Sequence, residues 1–288
     1  MTVRAVIFDW GGTLTPWHSV DHEELWRSVC ARHYPAAEAA ATAAAARAAE
    51  TELWRLAESV QQSATLEAVF ARAGVSASAG FLASYYQAWD PHTVTDPDAR
   101  PLLRELRRRG IKIGVLSNTM WPRTAHERIF IRDEIFDLID GAVYSSEIPW
   151  VKPHPEAFRA AMRAVGVADP GACVYVGDRP YDDVHGAKSV GMRAVLVPNS
   201  DVPAFAAAEP DAVIPRLADF LGHLDRWSAR GAKDFSGKRW RIPVPRLIAM
   251  GSKWGGPDAG NSLLRGGGFP APGQPQRRRP EQGPPAAG

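Results

Sequence analysis

The chain predicts an α/β fold: a doubly wound parallel sheet with an inserted α-helical cap. Three observations predict it. Short, largely apolar runs recur, and after the first two they leave room for about one helix between each pair, as in sheets covered on both faces. From Asp98 onward strand and helix signals alternate strictly, and between about Asp21 and Trp89 only helical periodicity is found. Several of the apolar runs also end directly in a carboxylate or hydroxyl side chain, the position at which open α/β sheets bind ligands.

Residues 3–8 (Val-Arg-Ala-Val-Ile-Phe) read as the first strand. In the alanine-rich block that follows, apolar residues recur three or four apart at Leu25 and Val29, at Leu53, Leu56 and Val60, and at Leu66, Val69 and Phe70. Breaks near Pro35, Ser63 and Gly74 divide it into three or four helices. After Pro91–Asp96 come helix Asp98–Arg109, stopped by Gly110, and strand Ile111–Leu116. A helix after Trp121, a short strand near Leu138–Val143, helix Pro155–Val165 and strand Ala172–Val176 continue the alternation. Helix Asp182–Val190, ended by Gly191, leads to strand Arg193–Val197, an edge strand Asp211–Ile214 and helix Leu217–Trp227. The expected division is therefore a core of residues 1–15 and 95–228, a cap of residues 16–94, and a tail of residues 229–288.

The tail stands apart in composition. Residues 1–228 hold 23 Lys and Arg against 29 Asp and Glu, a net of −6, whereas residues 229–288 hold 11 against 3, a net of +8. The same tail carries 9 of the 24 prolines and 12 of the 25 glycines, too little apolar surface to offset its ordering entropy, so it is expected to be disordered. No apolar stretch is long enough to span a bilayer. The N-terminus runs into a strand without a signal-peptide pattern. Cys30 and Cys173 lack metal-like spacing and are expected to be reduced and buried, in a cytoplasmic protein.

Four segments carry the chemistry. In Val6-Ile7-Phe8-Asp9-Trp10-Gly11-Gly12-Thr13-Leu14 a strand-end aspartate precedes two glycines. Such a turn brings backbone N–H groups close to a substrate, and aspartate is a competent nucleophile toward phosphorus. In Gly114-Val115-Leu116-Ser117-Asn118, a hydroxyl plus turn amides can hold a phosphate oxygen. In Val151-Lys152-Pro153 an ammonium sits in a proline-stiffened stretch, where it would offset phosphate charge and keep Asp9 ionised. In Val176-Gly177-Asp178, continuing to Asp182-Asp183, carboxylates near Asp9 would repel one another unless a cation lay among them, and hard oxygen donors suit Mg²⁺. Asp182 reads as the N-cap of the helix running to Gly191.

In type, order and spacing these segments resemble the motifs of the haloacid dehalogenase-like hydrolase superfamily, a mostly phosphatase group, over residues 1–228. The resemblance implies Mg²⁺-dependent hydrolysis of a small phosphorylated metabolite through an aspartyl-phosphate on Asp9. It implies that Ser117 and Lys152 act with Asp9 and bind phosphate together with Gly12 and Asn118. Asp9, Asp178 and the backbone carbonyl of Gly11 would hold Mg²⁺, with Asp183 in support. Nothing in it points to nucleic acid or membrane, and it leaves the oligomeric state open.

The departure from the pattern is Gly11, where such phosphatases carry a second aspartate that protonates the leaving oxygen and then activates water. General acid–base help is worth roughly 10²–10⁴ in rate, so a good leaving group, such as a sugar 1-phosphate or an acyl phosphate, would suffer least. His18, Asp21 and His22, just beyond the first motif, are candidate replacements. Phosphonatase chemistry would need a cap lysine, and no lysine precedes Lys112. A sugar phosphomutase would need the acid missing at Gly11, and a dehalogenase would not need the metal seat. The alternative outside catalysis is a weak or inactive member of the fold that binds a ligand or partner.

Other features stay structural on this reading. Arg107-Arg108-Arg109 closes a helix, where its charge complements the helix dipole. Most tryptophans belong to the core, with Trp17 and Trp150 as candidates to line a substrate pocket. Within the tail, Ile242–Met250 is the apolar stretch that could dock and Arg277-Arg278-Arg279 the basic run.

Overall fold

A computed structural model of the chain describes residues 2–199 and 208–231. Its six strands are β1 (Ala5–Phe8), β2 (Lys112–Ser117), β3 (Gly141–Tyr144), β4 (Cys173–Gly177), β5 (Arg193–Leu196) and β6 (Ala212–Val213). They form one sheet in the order β3-β2-β1-β4-β5-β6, with every pairing parallel. The chain runs outward from β1 through β2 to β3, then crosses back to place β4 against the other edge of β1. That reversal opens a crevice at the carboxyl ends of β1, β2 and β4, and the four motif segments meet there.

Strand alternation divides the core into two faces. Val6, Phe8, Ile113, Val115, Val174 and Val176 face the side covered by α5 (Ala99–Arg108), α6 (Arg123–Arg132) and α9 (Phe220–Gly231). Ala5, Ile7, Leu116, Cys173 and Tyr175 face α7 (Pro155–Ala164) and the one-turn α8 (Gly186–Ser189). Both faces are buried, which is why these strands read as continuous apolar runs.

Between β1 and β2 lie α1 (His22–His33), α2 (Ala36–Val60), α3 (Leu66–Ala73) and α4 (Ala79–Trp89). Asp21, Thr65 and Ser78 cap α1, α3 and α4 by accepting from the N–H groups of Glu24, Ala68 and Phe81. The alanines of α2 at 39, 43, 46 and 49, spaced three or four apart, are buried and let neighbouring helices approach. At their centre Phe70 packs edge to face with Trp26, Phe81 and Tyr85, and the Trp26 and Tyr85 rings meet at a tilt.

The elements follow the sequence reading with shifted ends. The strand expected at Leu138–Val143 opens with a tight turn over Phe136–Leu138 and becomes strand only at Gly141. The helix expected from Asp182 to Val190 is largely an irregular turn, Pro180–His185, with regular helix confined to α8. Asp182 is not its N-cap: the side chain pairs with Arg179 Nη1 at 3.4 Å instead, and Arg179 occupies the position before the turn. Cys30 and Cys173 are free and buried. Apart from residues 229–231 at the end of α9, the tail, with Ile242–Met250 and Arg277–Arg279, lies outside the described residues.

Candidate active site at the strand ends

Lys152 is the centre of the arrangement. Its side chain is 2% exposed, and Nζ lies 2.8 Å from Asp9 Oδ1, 2.7 Å from Asp183 Oδ1 and 3.0 Å from the Tyr175 hydroxyl. An ammonium has three protons to donate, so each is directed to one of these partners. Tyr175, on β4, donates in turn to the carbonyl of Leu116 on β2 at 3.0 Å. Asn118 holds the lysine's backbone from both sides, Nδ2 donating to Lys152 O at 3.0 Å and Oδ1 accepting from Lys152 N at 2.7 Å. The amide of Asn118 is thus a clamp on the lysine segment.

Asp9 follows β1 and extends the ladder, its N–H donating to Val176 O at 2.8 Å. Asp183 is fully buried, and its Oδ2 accepts from the N–H of Arg179 at 2.9 Å. Thr13 Oγ1 donates to Asp178 Oδ1 at 3.5 Å. Gly12 has φ +80°, and a Cβ there would stand 2.6 Å from Asp178 Oδ2, so this loop can approach β4 only as glycine. Asn199, beyond β5, donates to Gly12 O at 3.0 Å and ties the loop down. Gly11 differs from its neighbour: φ is −74°, and a Cβ would meet nothing within 4 Å. Ser117 ends β2 and is buried at 2% exposure.

Carboxylate oxygens of Asp9, Asp178 and Asp183 lie within 4.8 Å of one another, all three buried. Burial, with the charges of Asp9 and Asp183 adding to it, pushes the Asp178 carboxyl up to about 8. Burial also raises Asp9, partly offset by Lys152. Burial works against the Lys152 ammonium, but the charges of Asp183 and Asp9 outweigh it and hold the lysine above its ordinary value. Three carboxylates around one ammonium leave an excess of negative charge in a dry site. All the donors are hard oxygens, so the set fits a small divalent cation.

The sequence-predicted residues Asp9, Lys152, Asp178 and Asp183 therefore converge, with Gly12 and Asn118 beside them. The candidate substitutes for the missing acid have other partners. Asp21 caps α1, His22 Nδ1 lies 3.2 Å from Glu50 Oε2, and the exposed His18 rests its ring 5.9 Å from that of His92. Trp17 lines a cavity of about 360 Å³ with Pro16, Asp96, Asn199 and Arg216, whereas Trp150 stacks on His154 at 5.4 Å. Sequence reasoning missed Tyr175 and Arg179. Tyr175 sits in an apolar run where an aromatic reads as core, and Arg179 follows Asp178 directly but carries no periodic signal.

A parallel sheet in this order, with a buried lysine joining Asp9 at one strand end to Asp183 in the turn after another and Asp178 beside them, makes an α/β protein with a buried acidic cluster at its strand ends. Residues 3–191 match the family model of the haloacid dehalogenase-like hydrolases, and the chain belongs to that family. Among curated relatives it is similar to a phosphatase of Mycobacterium tuberculosis, 41% identical over 104 residues (36% of this chain, 46% of the relative). It is 36% identical over 118 residues to a glyceraldehyde 3-phosphate phosphatase of Pyrococcus abyssi (41% and 48%). To a phosphoserine phosphatase of Thermus thermophilus it is 36% identical over 115 residues (40% and 45%). The chain thus spans about half the length of the curated relatives it matches. Among solved structures, a HAD phosphatase from Thermococcus onnurineus superposes with a TM-score of 0.54 at 23% identity, covering 77% of this chain and 98% of that one. A 2-haloacid dehalogenase from Pseudomonas syringae gives 0.58 at 23% identity, covering 78% and 100%. Both likenesses are of fold.

Proposed function

We propose that the chain is a phosphatase that hydrolyses small phosphomonoesters through an aspartyl-phosphate on Asp9, with Mg²⁺ as cofactor. The observation that carries this reading is the Lys152 ammonium held between Asp9 and Asp183 at the mouth of the sheet crevice. Phosphoryl transfer asks for positioning and charge neutralisation above all, and the cluster is built for both. Asp9, Asp178 and Asp183, with the Gly11 carbonyl, would hold Mg²⁺, which would draw charge from the transferring phosphoryl group.

In the first half-reaction an Asp9 carboxylate oxygen attacks phosphorus and the bond to the leaving oxygen breaks, its electron pair departing with the leaving group. The Lys152 charge favours the ionised form of Asp9 against the effect of burial. Ser117 and the turn amide of Gly12 hold the phosphoryl oxygens that are not transferred, while Asn118 keeps the lysine segment in register. In the second half-reaction water attacks phosphorus, the electron pair returns to the Asp9 carboxylate, and the water's protons end on inorganic phosphate and solvent. On this reading residues 1–15 and 95–228 form the catalytic core, and residues 16–94 form a cap that excludes water and reads the leaving group. Among the described residues no helix is long and apolar enough to cross a membrane. A cytoplasmic setting, a small-metabolite substrate and no nucleic-acid or membrane partner complete the proposal.

Phosphate release from a panel of sugar phosphates, nucleotides and aryl phosphate, with Mg²⁺ and with EDTA, tests it. Metal-dependent release that disappears in Asp9→Asn is the expected result. Gly11 favours a second reading, a ligand-binding member of the fold without turnover. Absence of release from every substrate, in a folded protein supplied with Mg²⁺, would establish that one instead.

A further inference from the structure

The site holds a strand-end guanidinium that the reading above leaves unused. Arg179 stands directly after Asp178, and its backbone N–H is tied to Asp183 Oδ2 at 2.9 Å. Its side chain is 39% exposed and meets Asp182 Oδ2 at 3.4 Å, the outer limit of a hydrogen bond. A guanidinium carries five N–H donors in a planar fork, so this contact leaves most of them available to a ligand at the mouth of the crevice.

Among the described residues, and with Asp178 given to the proposed cation seat, the crevice is poor in groups that can release a proton to a leaving oxygen. Gly11 has no side chain, and the space a Cβ would enter is open for 4 Å. Thr13 Oγ1 is directed at Asp178, and the Lys152 protons are directed at Asp9, Asp183 and Tyr175. Arginine does not give up its proton in proteins. Without a proton from these groups, a leaving group here departs as an anion. For an alkoxide that is a large demand, its conjugate acid having a pKa near that of water, about 15.7. For a carboxylate, with a conjugate acid near 4, it is a small one.

We propose that the preferred substrates are acyl phosphates, with Arg179 receiving the departing carboxylate. The inference rests on the phosphatase reading and narrows it. Asp9 forms a bond to phosphorus, the bond from phosphorus to the acyl oxygen breaks, and both electrons leave on a carboxylate that needs no proton. That carboxylate takes the guanidinium fork by two parallel hydrogen bonds, displacing the long contact to Asp182. An aryl phosphate leaves as a moderately stable anion that offers no such fork, and an alkyl phosphate offers neither.

The test compares acetyl phosphate, p-nitrophenyl phosphate and glycerol 2-phosphate on wild type, Arg179→Ala and Arg179→Gln, each with Mg²⁺ and each corrected by Asp9→Asn for spontaneous hydrolysis. Wild type is expected to favour acetyl phosphate over glycerol 2-phosphate by at least roughly 10², the lower bound for general acid catalysis that only the alkyl ester needs. Both arginine variants should lower the ratio of kcat/KM for acetyl over p-nitrophenyl phosphate by about tenfold, the loss of a charge-assisted contact. A ratio that moves less than twofold in both variants overturns the role of Arg179. Glycerol 2-phosphate turned over as fast as acetyl phosphate overturns the substrate class while leaving the phosphatase reading intact. No Asp9-dependent release from any of the three overturns both.

Discussion

With divalent cations removed by EDTA, the folded chain should lose stability as pH rises from 6.5 to 8. The cause is Asp178, whose carboxyl burial and the neighbouring Asp9 and Asp183 charges lift from 3.8 to about 8. The folded value lies above the unfolded one, so the folded state holds a proton that the unfolded chain has lost. Its contribution is fully present below the unfolded value and disappears as pH climbs through the folded one. The slope is about 1.4 kcal/mol per pH unit, and integrated from pH 6.5 to 8 the loss comes to about 1.6 kcal/mol. Because Asp9 is raised as well, the proton belongs to the pair and not to one oxygen.

Below pH 6.5 a second group acts in the opposite direction. His126 is completely buried, and burial with the Arg123 charge lowers it from 6.5 to about 3. Its folded value lies below the unfolded one, so acidification favours the unfolded chain. Between pH 5 and 6.5 the two slopes oppose each other and the stability curve should be nearly level. The assay is urea unfolding followed by circular dichroism at fixed ionic strength, at pH 5, 6.5 and 8. Asp178→Asn should flatten the alkaline limb, and His126→Gln should turn the level stretch into a continued fall with pH. Mg²⁺ at about 100 times its Kd should add about 2.7 kcal/mol at pH 8. Metal-free wild type that is as stable at pH 8 as at 6.5, or Asp178→Asn that falls as steeply, would refute the reasoning.

Four substitutions probe the rest of the site. Lys152→Met strands two buried carboxylates and should cost about 3–5 kcal/mol at neutral pH by urea unfolding, the usual penalty for breaking a buried ion pair from one side. Tyr175→Phe removes an acceptor from Lys152 and a donor from Leu116 O; about 1–3 kcal/mol of stability should go by the same assay. Gly12→Ala forces a side chain into the left-handed region and against Asp178, and Mg²⁺ affinity by calorimetry should fall at least about tenfold, whereas Gly11→Ala should leave stability within about 0.5 kcal/mol.

The fold was legible because strands buried on both faces have nowhere to put polar side chains. Their apolar runs, separated from β2 onward by about one helix each, read directly as a wound sheet. Asp9, Ser117 and Asp178 were legible for the opposite reason: polar residues placed at the ends of those runs stand out. What failed to show depends on contacts distant in sequence. Tyr175 looks like any core aromatic until Lys152, 23 residues earlier, meets its hydroxyl. Asp182 looks like a helix cap, but the chain leaving β4 must wind Asp183 back under Gly177 and the Arg179 amide, and that irregular turn leaves Asp182 to pair with Arg179. Glu50, in an alanine-rich helix, carries no pattern that marks it. It is 5% exposed and meets Trp26, His22 and Arg47 at 3.1–3.2 Å.

Gly11 and Gly12, the second and third residues after Asp9, separate what the fold requires from what the proposed chemistry requires. Gly12 is imposed by geometry, since its positive φ and the closeness of Asp178 exclude any side chain. Gly11 is under no such constraint: its backbone is one that any residue adopts, and the space in front of it would accept a carboxylate. The lack of an acid at residue 11 therefore follows from neither packing nor backbone strain. On the proposed reading it shifts the burden from proton donation to the stability of the departing anion. A guanidinium one residue beyond Asp178 then has a definite use. It offers to the leaving group the positive charge that Lys152, already directed to Asp9 and Asp183, cannot supply.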